Sequence, residues 1–146
     1  MFACCIIKPP AYMMRAEISN DLAEKGTAII ARKKVRYSRR LVDTLYDHMS
    51  DEARACITQK YGGLFGEALL LNVESIAACC ALIGTDSDPR ACAPESIRGR
   101  FGSRGDPERI SAAWDWFENA VHRPVDEREC MRDIRLIFPE YAEGAG

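Results

Sequence analysis

His122, at the end of Asn119-Ala120-Val121-His122, is the residue with the most chemistry open to it. Neutral imidazole is nucleophilic at cellular pH, and its phosphorylated form is labile enough to pass the group on. Such a transfer needs positioning and charge neutralisation. Lys8, which ends the apolar run Cys5-Ile6-Ile7, and Arg98, within Ser96-Ile97-Arg98-Gly99-Arg100-Phe101, could supply both. Together these residues imply phosphoryl transfer through a phosphohistidine. Each also has a plainer reading on spacing alone. A lone histidine is more often structural, Lys8 could be a solvated strand end, and Arg98 and Arg100 could be surface ion-pair partners. Tyr46, at helical spacing from Leu41 and Leu45, reads as core.

The elements that must position these groups can be read from periodicity and punctuation. Phe2 to Ile7 is a continuous apolar run stopped by Lys8-Pro9-Pro10, which fits a strand buried on both faces and central in its sheet. Met14, Ile18 and Leu22 recur at helical spacing between Ala11 and Glu24, and Lys25-Gly26 closes that helix. Thr27 to Val35 predicts a second strand, and Ser38 and Ser50 cap helices to about His48 and from Asp51 to Tyr61. Phe65 to Val73 predicts a third strand and Glu74 to Ile83 a helix.

Gly84 to Gly105 carries too much proline, serine and glycine for regular structure and reads as a long loop. Asp106-Pro107 starts a helix bearing Ile110, Ala113, Trp114 and Phe117. Asn119 to His122 predicts a short fourth strand, and Asp126 with Glu129 resembles a capping box for a last helix to about Phe138. The order predicts an α+β fold, the ferredoxin-like βαββαβ antiparallel sheet with added helices. That plan hosts many functions and decides none.

Composition narrows the classes. The 146 residues fit a single domain, 1–146, able to bury a core without metals or disulfides. Twenty Lys plus Arg against 22 Asp plus Glu leave a formal charge of -2, so any anion site must be local. The run Arg32, Lys33, Lys34, Arg36, Arg39, Arg40 is the best nucleic-acid signal, but with Tyr37 its only interleaved aromatic it reads better as a solvated strand end. Seven cysteines, with adjacent pairs at Cys4-Cys5 and Cys79-Cys80, lack the spacing of zinc or redox motifs and read as small buried fillers. No stretch approaches the roughly 20 apolar residues of a membrane span, and the N-terminal run is too short for a signal peptide. A cytoplasmic location is expected.

Four pieces in order carry a resemblance to the nucleoside diphosphate kinase family. Ile7-Lys8-Pro9 resembles the family's opening Ile-Lys-Pro-Asp, and Leu82-Ile83-Gly84 its Leu-x-Gly before a threonine-bearing loop. Pro94-Glu95-Ser96-Ile97-Arg98-Gly99 resembles Pro-Gly-Thr-Ile-Arg-Gly, and Asn119-Ala120-Val121-His122 the Asn-x-x-His that holds the nucleophile.

The resemblance implies a nucleoside diphosphate kinase, moving the terminal phosphate of ATP or another nucleoside triphosphate to a nucleoside diphosphate by a ping-pong path, with Mg²⁺ carried by the nucleotide. It implies that His122 is phosphorylated, that Lys8 and Arg98 grip phosphates, that Tyr46 lies near the transferred group, and that Asn119 with Lys8 contacts the sugar. Ser87 is the best match for the loop threonine. Asp133 falls where the family has a glutamate that orients the imidazole, with Glu129 one turn earlier as the alternative. Homo-oligomeric assembly is a family habit, and no membrane or nucleic-acid partner is implied.

Several positions depart from the pattern. Cys80 stands where a second phosphate-binding arginine is expected, and Arg100 or Arg104 is the expected replacement for that charge. Arg123-Pro124-Val125 follows the histidine where the family has a serine and an aspartate. The phenylalanine pair that stacks on the base is missing after Tyr46. An inserted helical segment of about 103–118 could cover the nucleotide, replace the base platform or make a subunit contact. These departures leave a second class open, a nucleotide-binding or regulatory scaffolding module of the same fold with weak or no transfer.

Overall fold

A computed structural model describes residues 1–103 and 118–143. Strands β1 (Phe2–Ile7), β2 (Ala28–Arg36), β3 (Phe65–Asn72) and β4 (Val121–His122) form one antiparallel sheet in the order β2-β3-β1-β4. The helices among the described residues are α1 (Arg15–Glu24), α2 (Arg39–Leu45), α3 (Asp51–Tyr61), α4 (Ile76–Ile83), α5 (Ile97–Phe101) and α6 (Glu127–Ile137). This is the α+β βαββαβ plan with added helices that the order of elements predicts.

The central place of β1 follows from its residues. Ala3 to Ile7 are fully buried, and successive side chains of a strand leave opposite faces. Cys5 Sγ lies 3.7 Å from Cys79 Sγ of α4, while Cys130 of α6 donates through Sγ to the Phe2 carbonyl at 3.1 Å, so helices cover the strand from both sides. The small thiols let them approach, which is the filler role expected of most cysteines; Cys56 is exposed and Cys80 half-buried. Beside β1, β3 contributes Ala68 to Leu71, and Ile18, Leu22, Val42, Leu45, Ile134 and Phe138 close the core from the helices.

Capping serines set the helix starts. The hydroxyls of Ser38, Ser50, Ser75 and Ser96 accept from the N–H three residues on, and Asp126 does the same from Glu129. Thus α4 starts after Ser75 and not at Glu74. Prolines 9 and 10 lack N–H groups, so the segment expected to be helical from Ala11 begins as a 3-10 helix, Pro9–Met14, before α1. The long stretch after Gly84 is more regular than its punctuation suggests. It holds a 3-10 turn, Pro89–Ala91, and α5, in which Gly99 is a packing glycine: a Cβ there would collide with the Ala93 carbonyl.

Three cations of β2 find partners within the protein. Arg32 pairs with Glu67 at 3.2 Å, Lys33 with Glu140 at 2.9 Å, and Lys34 Nζ lies 4.1 Å from the Phe65 ring centroid. The strand alternates between exposed and half-buried positions, as a solvated strand should. No described helix is long and apolar enough to cross a membrane. The expected inserted helix falls outside the described residues. Its flanks, Ser103 and Glu118, are joined by an antiparallel bridge, Ser103 N–H donating to the Glu118 carbonyl at 2.7 Å.

Candidate active site

Sheet register brings the two ends of the sequence together. Ile6 pairs with His122 and Ile7 with Val121, and Lys8 N–H extends the ladder to the Ala120 carbonyl at 2.8 Å. Ala120 has φ +67°, with Val121 N–H bonded to the Asn119 carbonyl across it at 2.8 Å. This γ-turn is sparsely populated for an L residue and shortens β4 to Val121–His122, against the strand expected from Asn119. It turns Asn119 and His122 into an open cleft of about 820 Å³, within the range of small-ligand sites.

The imidazole is held from α6. Asp133 is fully buried; its Oδ2 lies 2.9 Å from His122 Nε2, and its Oδ1 accepts from Arg132 Nε at 2.8 Å. An ionised carboxylate only accepts hydrogen bonds, so Nε2 carries the proton and Nδ1 keeps its lone pair. The shorter aspartate therefore reaches the ring directly. Glu129, the alternative orienting group, instead accepts Val125 N–H through Oε2 at 3.1 Å and supports the loop after the histidine. The Tyr46 ring meets the His122 ring edge-on, centroids 5.7 Å apart.

Cations line the same cleft. Arg98 is buried, donating through Nε to the Val121 carbonyl at 3.1 Å and through Nη1 to the Asp86 carbonyl at 2.7 Å. Its aliphatic stem crosses Gly84, where two facts demand glycine: φ is +147°, and a Cβ would lie 2.7 Å from Arg98 Cδ. Lys8 Nζ sits 5.8 Å from the centroid of the Tyr46 ring. Burial, reinforced by Arg98, lowers the Lys8 ammonium from 10.5 to about 8, and burial with Arg123 lowers Arg98 to about 10. Burial also holds His122 below its ordinary 6.5 against the opposing pull of Asp133, which keeps the ring neutral at cellular pH.

A pH dependence follows. Between about 8 and 10.5 the unfolded chain holds a proton at Lys8 that the free folded protein has released, so stability rises with pH across that window. Affinity for a phosphate-bearing ligand moves the other way, because a neutral amine no longer attracts it. Calorimetric titration with ADP should show binding weakening as pH rises through about 8 in the wild type. The step should be absent in Lys8→Met; its persistence there would assign it elsewhere.

The remaining expected residues divide. Asn119 is buried in the cleft wall, donating through Nδ2 to the Ser87 carbonyl at 3.2 Å, while its Oδ1 is buried without a partner among the described residues. Ser87 lies on the rim with Thr85 and Asp86. Arg100 does not line the cleft: two positions along a helix turn a side chain through about 200°, and its guanidinium pairs with Asp21 of α1 instead. Arg104 lies outside the described residues.

Arg123, Tyr61 and Glu118 also line the cleft, and the sequence assigns none of them a role there. The Tyr61 hydroxyl donates to Glu118, and Lys60 pairs with the same carboxylate at 2.5 Å. Arg123 is buried, with Nε donating to the Gly84 carbonyl at 2.9 Å. Its position directly after the histidine is the available signal. Met49, Ala53, Cys56 and Ile57 give the opposite wall an apolar surface where no phenylalanine pair exists.

Comparison with known proteins agrees with the fold. The nucleoside diphosphate kinase family model matches residues 2–142. Among solved structures, a nucleoside diphosphate kinase from Borrelia burgdorferi, a transition-state mimic with bound vanadate and ADP, superposes with a TM-score of 0.78. It is 21% identical, over 94% of this chain and 86% of that one. The apo nucleoside diphosphate kinase from Encephalitozoon cuniculi, in its cubic form, gives a TM-score of 0.75 at 21% identity, over 97% and 90%. At such identity the likeness establishes the fold. No curated protein sequence matches significantly.

Proposed function

The chain belongs to the nucleoside diphosphate kinase family, and from that premise we propose that it moves the terminal phosphate of a nucleoside triphosphate to a nucleoside diphosphate through phosphorylated His122. In this reading Nδ1 of His122 attacks the terminal phosphorus, the bond to the bridging oxygen breaks, and the nucleoside diphosphate leaves with that electron pair. A terminal phosphate oxygen of a second diphosphate then attacks the phosphohistidine and restores the neutral ring. Mg²⁺ arrives with the nucleotide as part of the substrate and needs no protein cage.

The observation that carries the proposal is the Asp133 contact to Nε2 at 2.9 Å, since it fixes the tautomer that leaves Nδ1 able to attack. Lys8 and Arg98 would neutralise the transferring group, Tyr46 would pack against the phosphorylated ring, and Asn119 with Lys8 would meet the sugar. Ser87 would contact phosphate from the rim, and the apolar wall of α3 would receive the base. Homo-oligomeric assembly and a cytoplasmic location belong to the same proposal.

Incubation with terminally labelled ATP and Mg²⁺ should give an acid-labile label that GDP discharges as labelled GTP. A label that GDP cannot discharge would replace transfer with a regulatory phosphohistidine, and a protein that stays unlabelled while binding ADP would be a nucleotide-binding module.

A further inference from the structure

We propose that Arg123 is a phosphate-binding residue of this site, gripping the terminal phosphates of the nucleotide together with Arg98; the inference rests on the nucleotide-binding reading above. Arg123 is 7% exposed and Arg98 5%, yet neither pairs with a carboxylate among the described residues. Their partners are backbone carbonyls. Arg123 uses Nε on the Gly84 carbonyl at 2.9 Å and Nη1 on the Pro124 carbonyl at a long 3.4 Å, which leaves Nη2 without a hydrogen bond among the described residues.

The two arginine side chains meet at one glycine. The stem of Arg98 lies against the Gly84 Cα, while Arg123 holds the carbonyl of the same residue. Each lines the cleft beside His122, and Arg123 contributes to lowering the Arg98 pKa to about 10. Like charges brought together out of water destabilise a folded chain unless something anionic joins them. Guanidinium forks match phosphate oxygens in geometry as well as charge, so the polyphosphate of the proposed substrate is the partner this pair would take.

Position 80 is consistent with this assignment. Cys80, where a second arginine is expected, has its Sγ 3.7 Å from the Pro124 carbonyl, so it abuts the segment that carries Arg123. A guanidinium therefore reaches this part of the cleft from the residue after the histidine instead of from α4.

The test compares ADP and AMP binding in the wild type, Arg123→Gln and Arg123→Met, with thermal unfolding of each nucleotide-free protein. Loss of a charge-assisted phosphate contact should weaken ADP binding about ten- to a hundredfold and shrink the preference for ADP over AMP by a similar factor. Because an uncompensated cation is being removed, the nucleotide-free Tm should fall by no more than about 3 °C. A folded variant that keeps wild-type ADP affinity overturns the inference. Variants that both unfold overturn it too, since Arg123 would then be a structural residue. Failure of the underlying reading is visible separately: it would appear as a wild type that does not bind ADP.

Discussion

His122→Ala should lose phosphotransfer by about ten-thousandfold or more, since removal of a nucleophile leaves only binding and positioning. The same variant should incorporate no acid-labile label from ATP. It should still bind ADP, because Lys8, Arg98 and the α3 wall stay in place. Loss of the buried ring leaves Asp133 Oδ2 without its partner, at a cost of about 1–3 kcal/mol, while Arg132 continues to hold Oδ1. That is small against the stability of a typical domain, so circular dichroism should find the variant folded. A variant that retained label on another residue would remove His122 from the chemistry.

The parts of the fold that are legible in the sequence are those specified locally. β1 can be read because Phe2 to Ile7 is apolar without interruption and Pro9-Pro10 ends it; Ser38, Ser50 and Asp126 announce their helices because a cap needs only the N–H groups that follow it. β4 is harder. Its length depends on pairing with Ile6 and Ile7, more than a hundred residues away, and on the γ-turn at Ala120, which no local residue preference announces. α5 is hidden because Gly99 looks like punctuation, whereas its role is to let the helix approach the Ala93 carbonyl.

The site shows the same division. His122, Lys8 and Arg98 are legible from motif order, yet nothing in that order says whether an aspartate can span the distance to the imidazole. That depends on where the α6 backbone lies, and it lies close enough. Arg100 fails as a replacement cation for a geometric reason, since α5 is helical and positions 98 and 100 point to different sides. Arg123 looks in sequence like a departure from a familiar loop. Its part in the cleft is apparent only once the Gly84 carbonyl, far off in sequence, is seen to hold it.

Asp133→Asn should reduce transfer about 10³- to 10⁴-fold while leaving ADP affinity nearly intact, by the same tautomer logic that makes an amide a poor substitute in carboxylate-histidine pairs. Arg132 donates to Oδ1 through two nitrogens, so the amide oxygen must take that side. The amide NH₂ is then turned towards Nε2, which must accept, and the ring proton moves to Nδ1 where it blocks the attacking lone pair. Asp133→Glu keeps an acceptor and should lose far less. Removing the anion also removes the interaction that raises the His122 pKa, so the acid limb of any residual activity should move to lower pH. Burst labelling and pH profiles of the two variants test this directly: equal losses in Asn and Glu would mean that packing, and not proton placement, is what α6 supplies.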